Sequence, residues 1–371
     1  MLGKSLCTFM IVLTTFASSA SAEDHTKLLN AIKLPPGFKI SIFAEVPAPR
    51  QIEVDEKSDV IFIGSRHGHI VSLRDTTGNG IADERILRAN GLNAPNGVTI
   101  KNSTLYIGLQ DRIAIWPKKV GSNTKSPLEP LDTINSKLLD NGWHGMRFIN
   151  FGPDNKLYVT LGSPCNICEQ TNITGKIIRM DADGSNWEVV ADGVRNSVGF
   201  DWHPTTGELW FTDNGADRMG DDIPPDELNR VTKMGQHFGF PYFGGKSTKL
   251  TGYENKTPLM EVTPAAIEFQ AHTASLGIEF YNGTMFPAEY KGDAFVAQHG
   301  SWNRSEPVGY RIMRIRFDKD GNAIGKEVFA DGWLQNGETL GRPVDLEELP
   351  DGSLLVSDNH ANVIYRISYS N

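Results

Sequence analysis

Cysteine is scarce in this chain: 371 residues contain three, and Cys7 lies in an N-terminal apolar run. The remaining pair, Cys165 and Cys168 in SPCNICE, is too small to close a four-ligand zinc site by itself. It follows a strand-like run and sits in a polar loop, whereas a redox CxxC opens a helix, so a local disulfide is expected. Long apolar runs are also missing after the first residues, and nothing later approaches the roughly 20 residues of a spanning helix. Basic charge is in deficit, with 36 Lys and Arg against 45 Asp and Glu, which argues against a nucleic-acid partner. Long amphipathic helical patterns are nearly absent as well.

What is present begins with Lys4, the apolar run Leu6 to Phe16 and the small residues Ala20-Ser21-Ala22, the pattern of a cleaved secretory signal. The run of about eleven apolar residues is short for an uncleaved anchor. A signal peptide over 1–22 and a periplasmic or secreted protein are therefore expected. About 349 residues then remain, enough for a large buried core.

One phrase recurs along that remainder: a polar turn, then a short strand ending in a small or polar residue. It occurs as DEKSDVIFIGSR (55–66), KNSTLYIGLQ (101–110), PDNKLYVTLG (153–162), PTTGELWFTDNG (204–215), KGDAFVAQHG (291–300) and PDGSLLVSDN (350–359). The spacing is roughly 50 residues, with one interval near 87, and several strands per period are the mark of propeller blades. Second strands follow at 68–75, 175–184, 311–321 and 362–369, several of them with Asp-Gly turns. The expectation is an all-β, six-bladed β-propeller over 23–371, a single domain with a loop insertion near 244–266. A second long polar loop covers 213–229. The strand NVIYRISY (362–369) is placed to close the ring with FKISIFAEV (38–46), which removes exposed sheet edges.

A propeller gathers one end of each blade around a central channel, so loops beside the repeated strands carry the candidate chemistry. His144 precedes the strand of one blade, and Arg195-Asn196 precede the next. A histidine there is either a turn residue or a general base, and an arginine binds carboxylates or a developing alkoxide. His203, His237, His272, His299 and His360 compete for the role. The segment DTTGNGIADE (75–84) has a calcium-like spacing but lacks the closing acid, so a hairpin turn is expected. The loop DNGADRMGDD (213–222) offers more oxygen donors to a hard cation.

The ordered set WHGMRFINFGPDNKLYVTLG, GVRNSVGFDWHPTTGELWFTDNG, PPDELNRV, QHFGFPYFGG, QHGSWNR and GRPVDLEELPDGSLLVSD resembles the glucose/sorbosone dehydrogenase family, nearest its sorbosone-dehydrogenase-like branch. The resemblance spans nearly all of the chain after the leader. It implies a six-bladed propeller using pyrroloquinoline quinone (PQQ) and calcium (Ca2+), with electrons passed to a cytochrome or quinone. It also implies His144 as general base, Arg195 as stabiliser of the reduced quinone oxygen, and Arg195-Asn196 against the cofactor. The carbonyls of Gly215 and Ala216 would hold calcium, and Arg342, Arg304 and, less directly, Arg66 would face the cofactor carboxylates. Two departures stand out: Trp143 replaces the acidic residue of glucose-specific members, and Ala216 replaces a proline. The implied substrate is therefore broad: an aldose, a sorbosone-like sugar aldehyde or another polyol. A gluconolactonase-like hydrolase and a non-catalytic binding propeller are the competing readings.

Overall fold

The computed structural model describes residues 22–55, 57–121, 127, 131–136, 142–170 and 172–370. The expected signal peptide over 1–22 lies outside them except for its last residue, which begins the helix Ala22–Ala31. The fold is a six-bladed β-propeller built from antiparallel sheets.

In chain order, each blade's second strand is the recurring phrase of the sequence: Val60–Ser65, Thr104–Gly108, Leu157–Leu161, Leu209–Asp213, Ala294–Gln298 and Leu354–Asp358. Five of these six are buried at every position, because blades cover both of their faces, and this is why they read as near-continuous apolar runs. The innermost strands are Pro49–Asp55, Gly97–Lys101, Ile149–Phe151, Phe200–Trp202, Ser275–Phe280 and Pro343–Glu348.

Packing between blades supplies the core. Every junction around the ring has its own apolar cluster, for example Phe148, Tyr158, Phe200, Leu209 and Phe211 between blades 3 and 4, and Tyr106, Ile113, Ile149 and Val159 between blades 2 and 3. Burying one such side chain stabilises the fold by roughly 1.5–3 kcal/mol. Ring closure follows the sequence expectation: Phe38–Glu45 pairs antiparallel with Val363–Tyr369, from Phe38 opposite Tyr369 to Glu45 opposite Val363. Phe38 is held edge-on by Phe286, Tyr290, Phe329 and Tyr369 at 4.8–5.1 Å.

The long repeat interval is explained by blade 4, whose fourth strand, Ile267–Glu268, is delayed by the insertion. Within that detour Gln236–His237 pairs in parallel with Glu188–Asp192 of blade 3, and Phe243–Gly244 pairs with Thr248–Lys249. The detour between the third and fourth strands of blade 4 thus ties two neighbouring blades together. The 75–84 segment forms a turn in which the Asp75 carboxylate accepts backbone N–H groups from Thr77, Gly78, Asn79 and Gly80. Among the described residues, no helix is long and apolar enough to cross a membrane.

Candidate active site

One mouth of the channel holds a cavity of about 380 Å³, within the size range of small-molecule sites. His144, Arg195, Asn196 and Gly215, far apart in sequence, all line it. The repeat brings them together, since each lies at the same end of its blade.

His144 sits in a left-handed backbone conformation, φ 43°, just before the innermost strand of blade 3. Gly162 permits this approach, because a Cβ there would stand 2.4 Å from the His144 Cβ. Arg147, fully buried beneath, donates to the Gln110 and His144 carbonyls and pins the turn. His144 Nδ1 lies 2.8 Å from the Ser163 carbonyl, which can only accept, so Nδ1 carries the proton and Nε2 keeps its lone pair. Burial, reinforced by the neighbouring Arg195 charge, pushes the imidazole pKa down to about 3 and holds the ring neutral.

Arg195 is fixed by a network centred on the disulfide loop, where Cys165 and Cys168 are bonded. Its Nε donates to the Asn166 carbonyl at 2.9 Å, and Nη2 to Asn166 Oδ1 at 2.8 Å and Asp217 Oδ2 at 2.9 Å. Nη1 donates to the Asn214 carbonyl at 3.1 Å, which leaves one of the five guanidinium N–H bonds for a ligand. Asn166 also accepts from the Asp217 N–H and donates to its carbonyl, so this one amide joins blades 3 and 4. Beneath, Asp213 accepts the N–H groups of Arg195 and Asn196 at 2.8 and 2.6 Å, and burial raises its pKa to about 7. The same device recurs in blade 6, where Asp358 accepts the Arg342 N–H.

Gly215 donates its N–H to Asp226. Among the described residues, neither the Gly215 nor the Ala216 carbonyl accepts a hydrogen bond; Gly215 lines the cavity, whereas Ala216 is not part of its lining. The Ala216 methyl is buried against Phe240 and Leu250. No group of three or more His, Cys, Asp or Glu side chains able to hold a metal occurs among the described residues.

The opposite wall is cationic. Arg66 lines the cavity and its side chain makes no hydrogen bond or ion pair with a described residue, and buried Arg50, which donates to Asn96 Oδ1 at 2.7 Å, lies beside it. His299 is kept neutral by burial and by these arginines, its pKa lowered to about 3. Arg342 stands one layer behind, donating to the Gly300 carbonyl and the Tyr310 hydroxyl and contacting His299 Nδ1 at 3.4 Å. Arg304, expected among the cofactor cations, is not in the lining: Asp221 and Asp222 hold it on the loop outside. Sequence reasoning passed over Arg50 and left His272 and His299 as mere competitors. The positive wall comes from Arg50 and Arg66, which lie sixteen residues apart at neighbouring ends of two adjacent strands of one blade, so no single motif displays it.

The fold and this arrangement define a propeller with a neutral histidine, a tethered arginine and an anion-attracting wall around one channel mouth. Residues 124–366 match the family model described as "Glucose / Sorbosone dehydrogenase". The chain belongs to the glucose/sorbosone dehydrogenase family. It is 37% identical to an uncharacterized protein of Borreliella burgdorferi over 97% of each chain. It is 23% identical to a pyrroloquinoline quinone-dependent sugar dehydrogenase of Hypocrea jecorina, over 68% of this chain and 69% of the relative. Among solved structures, the calcium structure of the Trichoderma reesei Carbohydrate-Active Enzymes Family AA12 protein superposes with a TM-score of 0.79 at 19% identity, covering 91% of this chain and 97% of that one.

Proposed function

We propose that the protein is a periplasmic or secreted quinoprotein that oxidises a sugar or sugar aldehyde by hydride transfer to pyrroloquinoline quinone, with His144 as general base. The observation that carries this reading is the neutral His144, its Nδ1 proton committed to Ser163, set in one cavity with Arg195 and an arginine wall. Family membership and the quinone-dependent sugar dehydrogenase of Hypocrea jecorina support the cofactor. The leader pattern and the Cys165–Cys168 disulfide support an oxidising compartment.

The residues present fit the group. Arg66, whose side chain has no partner among the described residues, and Arg50 match an anionic, polycarboxylate cofactor, while the carbonyl of Gly215 in the lining and that of its neighbour Ala216 accept no hydrogen bond among the described residues and would be the oxygens offered to a calcium ion. When bound, the quinone supplies the hydride acceptor and calcium the Lewis acid that sharpens it. His144 Nε2 takes the proton of the substrate hydroxyl, which makes the carbon beneath it a better hydride donor. Arg195 offers its remaining Nη1 proton to oxygen that gains negative charge, and its four other bonds keep it from turning away. An external acceptor, a cytochrome or quinone, would reoxidise the cofactor.

The test is reconstitution of the purified protein with PQQ and calcium, followed by visible spectroscopy and dye reduction with a panel of sugars. Cofactor binding and sugar-dependent dye reduction are expected. Failure to bind the quinone would remove this function.

A further inference from the structure

The Cys165–Cys168 bond closes a ring that encloses only Asn166 and Ile167. So short a loop removes less freedom from the unfolded chain than a long one, and the propeller is already closed by Phe38–Glu45 against Val363–Tyr369. The effect of the bond is local. Asn166 supplies two of the four hydrogen bonds that hold the Arg195 guanidinium, through its carbonyl at 2.9 Å and its Oδ1 at 2.8 Å. The same Oδ1 accepts the Asp217 N–H at 2.8 Å. Ser163, just ahead of the ring, joins it to His144: its hydroxyl donates to the Cys165 carbonyl and its own carbonyl accepts from Nδ1.

The two cysteines are both partly exposed, on a polar loop at the surface. Cys165 packs against the buried cluster of Ala216, Phe240 and Leu250, as does Ile167, whereas Cys168 stands outside that cluster. Exchange at a disulfide requires access for a thiolate to one sulfur, and Cys168 is the sulfur that offers it.

We infer that the Cys165–Cys168 bond is a site of reversible thiol–disulfide exchange with a dithiol, and that its opening releases Arg195 and weakens the hold of the cavity on its anionic cofactor. The inference rests on the quinone-dependent reading for its consequence and adds a redox control of the same site. A thiolate of the dithiol attacks Cys168 Sγ, the bond to Cys165 breaks, and Cys165 Sγ leaves as a thiolate that takes a proton from solvent. The second thiol of the reagent then attacks its own sulfur in the mixed disulfide and frees Cys168, which is protonated in turn. The protein gains two electrons and two protons, and the dithiol ends as a disulfide. With the ring open, Asn166 rides on an unclosed loop and its two bonds to Arg195 loosen, while the Asn214 carbonyl and Asp217 still hold the guanidinium. Cofactor binding is therefore weakened and not abolished.

The purified, folded protein is treated with excess dithiothreitol, and alkylation of an aliquot followed by peptide mass spectrometry reads the state of Cys165 and Cys168. The reagent is removed under nitrogen before PQQ and calcium are titrated in, since thiols add to quinones. Both cysteines become alkylated, PQQ affinity falls about tenfold, and reoxidation restores it. The joint variant Cys165→Ser, Cys168→Ser has the affinity of the reduced protein and does not respond to the reagent. Hydrogen exchange gives a readout free of cofactor: after reduction the Asp217 N–H exchanges faster, while the strand Phe38–Glu45 keeps its protection. A bond that resists dithiothreitol in the folded protein, unchanged Asp217 exchange or PQQ affinity after reduction, or loss of protection throughout the propeller overturns the inference. If neither redox form binds PQQ and Asp217 still responds, the dehydrogenase reading falls and the exchange site stands.

Discussion

His144 donates from Nδ1 to the Ser163 carbonyl at 2.8 Å, and the Ser163 hydroxyl in turn donates to the Cys165 carbonyl at 2.7 Å, so His144 is tethered to the disulfide loop. The same loop holds Arg195 through Asn166. One short covalently closed segment thus positions two polar groups of the cavity lining.

The first prediction concerns pH. Burial lowers the His144 pKa to about 3, so the imidazole stays neutral and able to accept a proton as pH falls through its ordinary range near 6.5. The acid limb of kcat/KM is expected below about pH 5, and an inflection near 6.5 in the rate profile would contradict the assigned environment. His144→Ala is expected to lower kcat by at least about a hundredfold while the titrated PQQ affinity holds within about twofold.

The second concerns the tether. Joint replacement of Cys165 and Cys168 by Ser removes a small closed loop and is expected to cost about 2 kcal/mol, read as a fall of a few degrees in Tm by calorimetry. Asn166→Ala strips buried Arg195 of one of its side-chain partners and is expected to weaken PQQ binding about tenfold. Unchanged affinity in both variants would separate the loop from the site.

The third sorts the cations. Arg66→Gln is expected to reduce PQQ affinity about tenfold and to flatten its salt dependence, with stability changed by less than about 0.5 kcal/mol because Arg66 is exposed and unpaired among the described residues. Arg304→Ala, outside the lining, leaves PQQ affinity unchanged. The reverse ranking, measured by fluorescence titration across salt concentrations, would return Arg304 to the site.

The fourth concerns the other end of the channel. The innermost strands place Glu53, Thr99, Asn150, Asp201, Glu279 and Glu347 opposite Phe62, Tyr106, Tyr158, Trp210, Phe295 and Leu355, which is one level of the ring. Thr99 Oγ1 bridges Glu53 and Asn150 at 3.3 and 3.0 Å. Desolvation, and then the neighbouring acids, raises Glu53 to about 8 and Glu279 and Glu347 well above their ordinary range; Asp201 rises to about 7 for the same reasons. Folded pKa values above unfolded ones mean that this ring supports stability at acid pH and loses that support as pH rises through about 7 to 8. The Tm is therefore expected to fall between about pH 6 and 9, and Glu279→Gln to reduce the fall; a Tm independent of pH across that window would refute the shared shifts.

Much of the architecture was legible in the chain. The turn-strand phrase named the second strand of all six blades, because that strand is buried by neighbours on both faces and must be apolar along its length. The closing pair 38–46 with 362–369 was readable because two alternating strands were left without partners at the ends. The blade 4 detour appeared as a long interval, although its parallel pairing with blade 3 left no local signal. In the site, His144 and Arg195-Asn196 could be found from their place in the repeat, and Trp143 from its break with the family pattern.

By itself the sequence determined the repeat, the blade number, the disulfide and the loops that bear His144, Arg195 and Gly215. Those features depend on local periodicity and turn chemistry, which act within a few residues. Tertiary structure decided which cations face the cavity: it brought Arg50 and Arg66 to the wall, set Arg342 behind His299 and sent Arg304 to Asp221 and Asp222. It also decided which nitrogen of His144 carries the proton. Both outcomes depend on contacts between residues from different blades or from opposite ends of a loop, where distance in space, burial and electrostatic field are set only once the ring has closed.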